Sequence, residues 1–282
     1  MSEYLRKLAR AINKAIGRWG IQIVPTRHVY GNLDIYPEKV RPATPLYINI
    51  GAGSFFHPFW HNMDTPNLFY ANVQKGHIHI SYDLKSGRPF PLKSDSLKVA
   101  YISHVVEHLS DDCVRFCCAE VHRCLQPGGY FRLACPDIDL EYDAYCRGDA
   151  TLFPWPTPWG TLSTSIEQRF LEHFATALTL DHPETRCHKF ADEEIRDVFS
   201  KYGKEDALGY FVNQIPAESK ESFPEHHVNW FNVKKLSSFL ENAGFENIYE
   251  SRYGQSKCAF MRNTQLFDST VPSLSFYMEC QK

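Results

Sequence analysis

The sequence lacks the features of membrane, secreted and nucleic-acid-binding proteins. No apolar run approaches the ~20 residues of a membrane-spanning helix, and no apolar stretch precedes a signal cleavage site. The 30 basic residues are outnumbered by 33 acidic ones, for a net charge of −3, which argues against DNA or RNA as a partner. The nine cysteines form no C-x-x-C pair and lie mostly among apolar residues. We therefore expect reduced, buried thiols in a cytoplasmic protein.

The first 42 residues are the exception to this balance of charge. Before residue 20, five basic residues stand against a single acid, and apolar residues recur at helical spacing at Leu5, Leu8, Ile12, Ala15 and Trp19. A basic amphipathic helix of this kind either lies on an anionic membrane surface or packs on its own domain with the basic face in water. Both interpretations stay open, and the first predicts peripheral contact with the inner face of a membrane.

A glycine turn followed by a strand that ends in an acid is the most informative local pattern. Residues 46–53 form an apolar strand that runs into Gly51-Ala52-Gly53, and residues 60–64 form a second strand that ends at Asp64. Glycine lets the backbone approach a ligand closely because it has no Cβ. A carboxylate at the end of the next strand can accept both hydroxyls of a ribose. The pair predicts a nucleoside-containing cofactor at the carboxyl edge of a parallel sheet.

Strand and helix signals alternate along the chain, which predicts an α/β fold with a parallel, doubly wound sheet. Further strands are expected at 77–83, 98–103, 130–135, 247–253 and 274–279, and helices after the caps Ser110 and Asn232. This alternation of strands and helices is interrupted by a stretch that contains a Pro/Trp loop and predicted helices near 163–180 and 192–201. The predicted parts are a basic helix and linker (1–42), a cofactor-binding core (43–137), a helical cap with the acceptor site (138–226) and a segment completing the core (227–282).

Taken together, these segments resemble the class I S-adenosylmethionine-dependent methyltransferases, and in particular predicted methyltransferases associated with saccharide and cell-envelope biosynthesis. The resemblance covers most of residues 46–137 and 229–282. It is carried by the order and spacing of Asn49-Ile50-Gly51-Ala52-Gly53, Trp60-x-Asn62-x-Asp64, Tyr82-Asp83-Leu84, Pro89-Phe90-Pro91, Ser103-His104-Val105-Val106-Glu107-His108, Gln126-Pro127-Gly128-Gly129, Pro136-Asp137 and Ala243-Gly244-Phe245. It implies a Rossmann-like seven-stranded sheet and an enzyme that uses S-adenosylmethionine.

The resemblance also implies roles for residues around this cofactor. The two glycines pass under its methionyl part, and Asp64 holds the ribose hydroxyls. Asp83 and the Leu84 amide sit near the adenine amino group, while Ser103 lies close to the sulfonium. The implied cofactor-binding set is Asn49, Gly51, Ala52, Gly53, Asp64, Asp83, Leu84 and Ser103.

Two positions depart from the family pattern. Asn49 stands where an acid is usual, so it offers no charge to the methionine ammonium, and Phe55 stands where a third glycine is common. The missing glycine also weighs against a nicotinamide cofactor. That fingerprint needs G-x-G-x-x-G and an acid about 20 residues further on, and Asp64 comes too early.

By analogy with the family, the acceptor is a hydroxyl of a saccharide or envelope precursor. An alcohol needs a base to take its proton, and the candidates are His104 after strand four and Asp137 after strand five. The expected substrate contacts are Glu107, His108, Trp155, Trp159, His226 and His227. A small-molecule acceptor of another class and a cofactor-binding scaffold without catalysis stay open as alternatives.

The segment from His104 to His108 also matches the H-x-x-E-H pattern of inverted zinc peptidases. That chemistry requires both histidines on one face of a continuous helix. Here the segment directly follows an apolar strand, and the cap at Ser110 leaves room for little more than one turn. We therefore assign no metal from the sequence, although a divalent cation between Glu107 and His108 stays open.

Overall fold

The computed structural model describes residues 33–38, 40–66, 77–153 and 165–282, together with Ile12 and Gln74. The predicted N-terminal helix, apart from Ile12, and the loop with Trp155 and Trp159 lie outside the described residues. In the part of the chain that is described, no helix is long and apolar enough to cross a membrane.

The described residues form one mixed sheet of seven strands at their centre, in the order β3-β2-β1-β4-β5-β7-β6. Strands β1 to β5 run parallel to one another, whereas β7 runs antiparallel to both β5 and β6. The strands are β1 Tyr47–Ile50, β2 His61–Asp64, β3 Ile80–Ser81, β4 Leu97–Ser103, β5 Leu125–Pro136, β6 Glu246–Ser251 and β7 Ser275–Gln281. The predicted Rossmann-like α/β fold is confirmed, with one reversed strand.

Two helices among the described residues begin at the capping side chains that the sequence predicts. Ser110 Oγ accepts from Cys113 N at 3.3 Å, and Asn232 Oδ1 accepts from Lys235 N at 2.8 Å. The α-helices are α1 Asp111–Cys124, α2 Ile138–Arg147, α3 Ile166–Ala175, α4 Asp192–Lys201, α5 Lys204–Gln214, α6 Ala217–Ser222 and α7 Val233–Asn242, and the 3₁₀ helices are Leu33–Ile35, Val106–His108, Ala150–Leu152, Thr176–Leu178 and Ala259–Met261.

Strand β1 is buried on both faces, as expected for the centre of a doubly wound sheet. Ile48 and Ile50 pack into one core, which also takes the apolar faces of α1 and α7. Tyr47 points to the opposite face, where Trp60 and Phe267 share a second core. This double burial holds the glycine turn after β1 in place.

The segment between β5 and α7 forms helices around a third core. That core is rich in aromatic side chains, among them Phe153, Phe170, Phe174, Phe190 and Phe211. The sequence indicated helices near α3 and α4, but it did not indicate α2, α5 or α6. These helices have mixed polar faces or short lengths, so periodicity alone does not separate them from loops.

The third strand is shorter than predicted, because only Ile80 and Ser81 pair with β2. The ring of His79 accepts from Asn62 N at 3.0 Å through Nδ1. A side chain therefore takes the place of the next backbone acceptor, and regular pairing starts only at Ile80 rather than at residue 77.

Candidate active site

A large cleft opens at the carboxyl ends of β1, β2 and β4. As far as the described residues define it, its volume is about 1290 Å³. The strand order reverses between β1 and β4, and ligands of open α/β sheets bind at such a switch point. All of the predicted cofactor-binding residues line the cleft, namely Asn49, Gly51, Ala52, Gly53, Asp64, Asp83, Leu84 and Ser103.

The two glycines of the turn are needed for different reasons. Gly51 has φ +71°, and a Cβ there would lie 2.2 Å from Val105 Cγ2. Gly53 has φ +50°, and a Cβ there would meet no protein atom within 4 Å among the described residues. Packing therefore requires the first glycine. The second leaves open space in the cleft, where a ligand can approach the backbone.

Asp64 is fixed at the end of β2 by three donors. Its Oδ2 accepts from Gly53 N at 3.2 Å and from Gln74 Nε2 at 3.1 Å, and its Oδ1 accepts from Thr65 N at 2.7 Å. The first of these bonds links the carboxylate to the glycine turn. The two features that the sequence paired are thus in direct contact at the cleft wall.

Ser103 ends β4 with a hydroxyl that has no hydrogen-bond partner among the described residues. Its Oγ is buried and makes no hydrogen bond within the described ranges, although the residue lines the cleft. Buried polar atoms are nearly always hydrogen-bonded in folded proteins. An unused hydroxyl at this place fits a site that is completed by a ligand.

His104 follows directly and has a backbone conformation that is uncommon outside glycine. Its φ is +52°, and such strain is typically found at functional sites. The ring is held on both sides, since Nε2 lies 2.7 Å from Ser275 Oγ and Nδ1 lies 3.2 Å from Glu107 Oε1. The side chain is 14% exposed and lines the cleft.

Glu107 lies behind His104 and is buried, with 2% of its surface exposed. Neither of its carboxylate oxygens makes a hydrogen bond to any described residue. Burial alone would raise the pKa of Glu107, but contact with the ring of His104 outweighs it and lowers the pKa to about 2. The site therefore contains a buried negative charge at neutral pH.

His108 and His227 stand next to this charge, with their rings 4.8 Å apart. His108 Nδ1 lies 3.0 Å from the His226 carbonyl oxygen, and His227 Nδ1 lies 2.6 Å from the His173 carbonyl oxygen. Burial lowers the pKa of His108 to about 4 and also lowers that of His227. Both rings are therefore neutral, and only His108 reaches the cleft lining.

Asp137, the second candidate base, has a different position from the one expected. It does not line the cleft, and its Oδ1 caps α2 by accepting from Asp139 N at 3.1 Å and Leu140 N at 3.3 Å. Burial raises its pKa. The sequence signal of a polar residue after strand five is thus explained by a helix N-cap.

His226 also lies away from the cleft. It is buried, and its ring stacks on Phe223 at 4.8 Å and meets the ring of His182 at 4.6 Å. The expected contacts Trp155 and Trp159 fall outside the described residues.

The zinc peptidase alternative is wrong. His104 directly follows the last residue of β4, and Val106–His108 is a single 3₁₀ turn with Leu109 as its C-cap. The two histidines of the motif therefore do not share a face of a continuous helix, and their rings contact different partners, Ser275 and the His226 carbonyl.

The comparison with protein families agrees with this geometry. Residues 62–133 match the family model described as a methyltransferase domain. These residues run from β2 to β5 and include the acidic ends of the strands and the whole of β4. The protein is an S-adenosylmethionine-dependent methyltransferase. No protein of curated function matches the sequence at a significant level.

Solved structures of other methyltransferases superpose on the chain at low identity. One is a SAM-dependent methyltransferase from Archaeoglobus fulgidus, with 11% identity, 97% of this chain and 94% of that chain covered, and a TM-score of 0.38. Another, from Mesorhizobium loti, has 15% identity, coverage of 88% and 94%, and a TM-score of 0.39. At these values the likeness adds nothing to what the strand order and the family match establish.

The residues of this methyltransferase fit its cofactor. The open space above Gly53, the fixed carboxylate of Asp64 and the unused hydroxyl of Ser103 all face one cleft. Asn49 is buried and lines the cleft without charge, so the methionine ammonium would meet an amide oxygen rather than a carboxylate. When bound, the cofactor supplies an activated methyl group.

Several cleft residues were not found from the sequence. They come from two segments that return to the sheet edge late in the chain, and they include Glu221, Gln265, Ser269 and Thr270, with Lys85 from the loop after β3. No local pattern marks them, because their position depends on how α6 and the loop before β7 pack.

Proposed function

We propose that this methyltransferase transfers the methyl group to a hydroxyl of a saccharide or a related cell-envelope precursor. The observation that carries the O-methylation part is His104, which lines the cofactor cleft with a buried carboxylate 3.2 Å from its ring. The saccharide part rests on the resemblance of the motifs. It is supported by polar side chains that line the cleft outside the cofactor set, among them Lys85, Glu221 and Gln265.

Some of the described residues align the cofactor with the acceptor, and others remove the proton of the acceptor hydroxyl. The glycine turn, Asp64 and Asp83 hold and orient the cofactor at one end of the cleft. Well-oriented reactants gain up to roughly 7–11 kcal/mol compared with free ones. The acceptor hydroxyl takes the place of Ser275 Oγ at Nε2 of His104, and this nitrogen accepts its proton, which contributes about 10²–10⁴-fold to the rate. Glu107, at Nδ1, then balances the positive charge of the ring.

The size of the cleft leaves room for an acceptor beside the cofactor. Its volume of about 1290 Å³ exceeds the roughly 300–1,000 Å³ of a pocket for one small ligand. Lys85, Glu221, Gln265 and Thr270 line it as well, and such groups can hydrogen-bond the hydroxyls of a sugar. We assign these four residues, with His108, to acceptor binding.

A screen of methyl transfer to nucleotide sugars, sugar oligomers and lipid-linked precursors, with product mass as the readout, tests the proposal. We expect at least one hydroxylated acceptor to gain one methyl group. Transfer only to amines, or to none of the acceptors despite cofactor binding, would contradict it.

A variant pair tests the role of His104. His104→Ala should retain cofactor binding by calorimetry but lose about 10²-fold or more in single-turnover transfer. The matched control is His122→Ala, because His122 lies on α1 against Phe245 and outside the cleft. If both variants transfer the methyl group at the wild-type rate, His104 is not the base.

A further inference from the structure

Three side chains beside the cleft form a group of potential metal ligands. One ligand atom from each of Glu107, His108 and His227 lies within 4.8 Å of the other two. Glu107 and His108 belong to the 3₁₀ turn after β4, and His227 belongs to the chain that returns from α6. The two segments are tied together because Val228 N donates to the Glu107 carbonyl oxygen at 2.8 Å.

The two histidines are oriented as metal-binding histidines usually are. A carbonyl oxygen can only accept, so each Nδ1 that contacts one must carry a hydrogen. In the neutral ring this leaves the lone pair on Nε2. Histidines that bind metals commonly donate their other N–H to a backbone carbonyl, which fixes the tautomer and the ring orientation.

The carboxylate of Glu107 supplies the independent observation. It is 98% buried, and both oxygens lack a hydrogen-bond partner throughout the described ranges. The ring of His104 approaches Oε1, and no ion pair to Oε2 is found among the described residues. A buried carboxylate without hydrogen bonds is costly, and a bound cation would remove that cost.

We propose that Glu107, His108 and His227 bind a divalent first-row transition-metal ion, such as zinc, manganese or iron. Two imidazoles and one carboxylate suit these ions, whereas magnesium prefers oxygen ligands alone. Ligand atoms about 2 Å from an ion lie up to about 4 Å apart. The three side chains therefore need to move inward by less than about 1 Å.

A second group of similar composition shows why the first one is distinctive. His182, Glu184 and His226 also lie within 4.8 Å of one another. However, His182 Nε2 lies 2.9 Å from Glu172 and its Nδ1 lies 2.8 Å from Glu184. Both nitrogens of His182 are already used, so this group is closed without a metal.

The position of the first group gives the ion a place in the reaction, a step that rests on the proposed function. His108 lines the cleft and Glu107 contacts His104. An ion held here lies at the acceptor side of the cleft, where an open coordination position can bind the acceptor oxygen and orient it towards the methyl group.

Titration of the full chain with Co²⁺, after treatment with a chelator, tests the site directly. We expect one Co²⁺ ion per chain, visible absorption bands and displacement by Zn²⁺. Glu107→Gln and His227→Ala should each weaken Co²⁺ binding by about tenfold or more, whereas His182→Ala should leave it unchanged. Circular dichroism and calorimetry with the cofactor establish that each variant is folded and that cofactor binding is a separate property.

The absence of saturable binding of Co²⁺ and Zn²⁺ to the folded wild-type chain would overturn the site. So would binding that survives in His227→Ala but is lost in His182→Ala, since the ion would then occupy the second group. Neither result would affect cofactor binding, which is measured in the same samples.

Discussion

Two buried charged groups of the protein differ in whether their hydrogen bonds are complete. Arg132, Asp268 and Glu279 are all 0% exposed. Each of the five N–H groups of Arg132 has a partner: both oxygens of Asp268, Glu279 Oε2, Ser251 Oγ and the Arg252 carbonyl oxygen. Glu107 is buried as well, but its oxygens make no hydrogen bond in the described part of the chain.

The difference separates a structural charge from a functional one. The Arg132 network joins β5, β6 and β7 with the loop that carries Asp268, and nothing in it is free to bind a ligand. Glu107 stands beside the cofactor cleft and remains open. A protein retains an open buried carboxylate only where another group completes it, here His104 and the proposed metal ion.

Breaking the closed network should have the largest effect. Arg132→Met leaves Asp268 and Glu279 buried without their cation, and we expect a loss of about 3–5 kcal/mol in the free energy of unfolding. The control is Arg196→Met, because Arg196 pairs with Glu167 at the surface and should contribute about 1 kcal/mol or less. Similar losses in urea titrations of both variants would mean that the network is not structural.

Removing a polar group that we expect to hold the cofactor should act on binding instead of folding. Asp64→Ala leaves two ribose hydroxyls without a charged acceptor, and bonds to charged groups contribute about 1.5–3 kcal/mol each. We expect at least about tenfold weaker S-adenosylmethionine binding by calorimetry. Asp112→Ala serves as the control, since Asp112 is an exposed residue of α1. Equal affinity of both variants would remove the ribose assignment.

The His182 group predicts a pH effect on stability. Burial alone would lower the pKa of His182, but Glu172 and Glu184 outweigh it and raise the pKa to about 9. The folded state therefore holds this proton more tightly than the unfolded state does. The neighbouring ring of His226 does not reverse this effect. The stabilisation, up to about 3 kcal/mol, is complete below pH ~6.5 and is lost as the pH rises through about 9.

Thermal unfolding between pH 6 and 10 measures this effect. The wild-type melting temperature should fall over that range more than that of His182→Gln, which has no ionisable ring at this position. Parallel curves for the two proteins would show that His182 does not hold the proton.

The open carboxylate should contribute least to stability. Glu107→Gln removes a charge that makes no hydrogen bond to the described residues. We expect a change of about 1 kcal/mol or less in the free energy of unfolding, together with a clear loss of methyl transfer. A loss as large as that of Arg132→Met would place Glu107 among the structural charges.

The sequence predicted those parts of the molecule that depend on local patterns. Apolar strands, the glycine turn and the caps Ser110 and Asn232 are encoded within a few residues, and they are found where expected. The short β3 was missed because a side chain, His79, replaces a backbone acceptor. The replacement of a backbone acceptor by the ring of His79 cannot be recognised from the pattern of hydrophobic residues.

The polar networks could not be predicted, because their members are far apart in the chain. Arg132 meets Asp268 across 136 positions of sequence, and His227 joins Glu107 and His108 only through packing of the returning segment. For Asp137 the pattern was ambiguous, since a polar residue after a strand is equally suited to a ligand site and to a helix cap.

The central claim is that S-adenosylmethionine binds in the cleft above the glycine turn, and paired glycine variants test it most directly. Gly53 and Gly148 both have positive φ, +50° and +70°, and both have space for a Cβ, but only Gly53 lines the cleft. Each change to alanine should cost about 1 kcal/mol of stability. In calorimetry, Gly53→Ala should bind the cofactor at least about tenfold more weakly than wild type, while Gly148→Ala binds normally. Equal affinities of the three proteins would contradict the account.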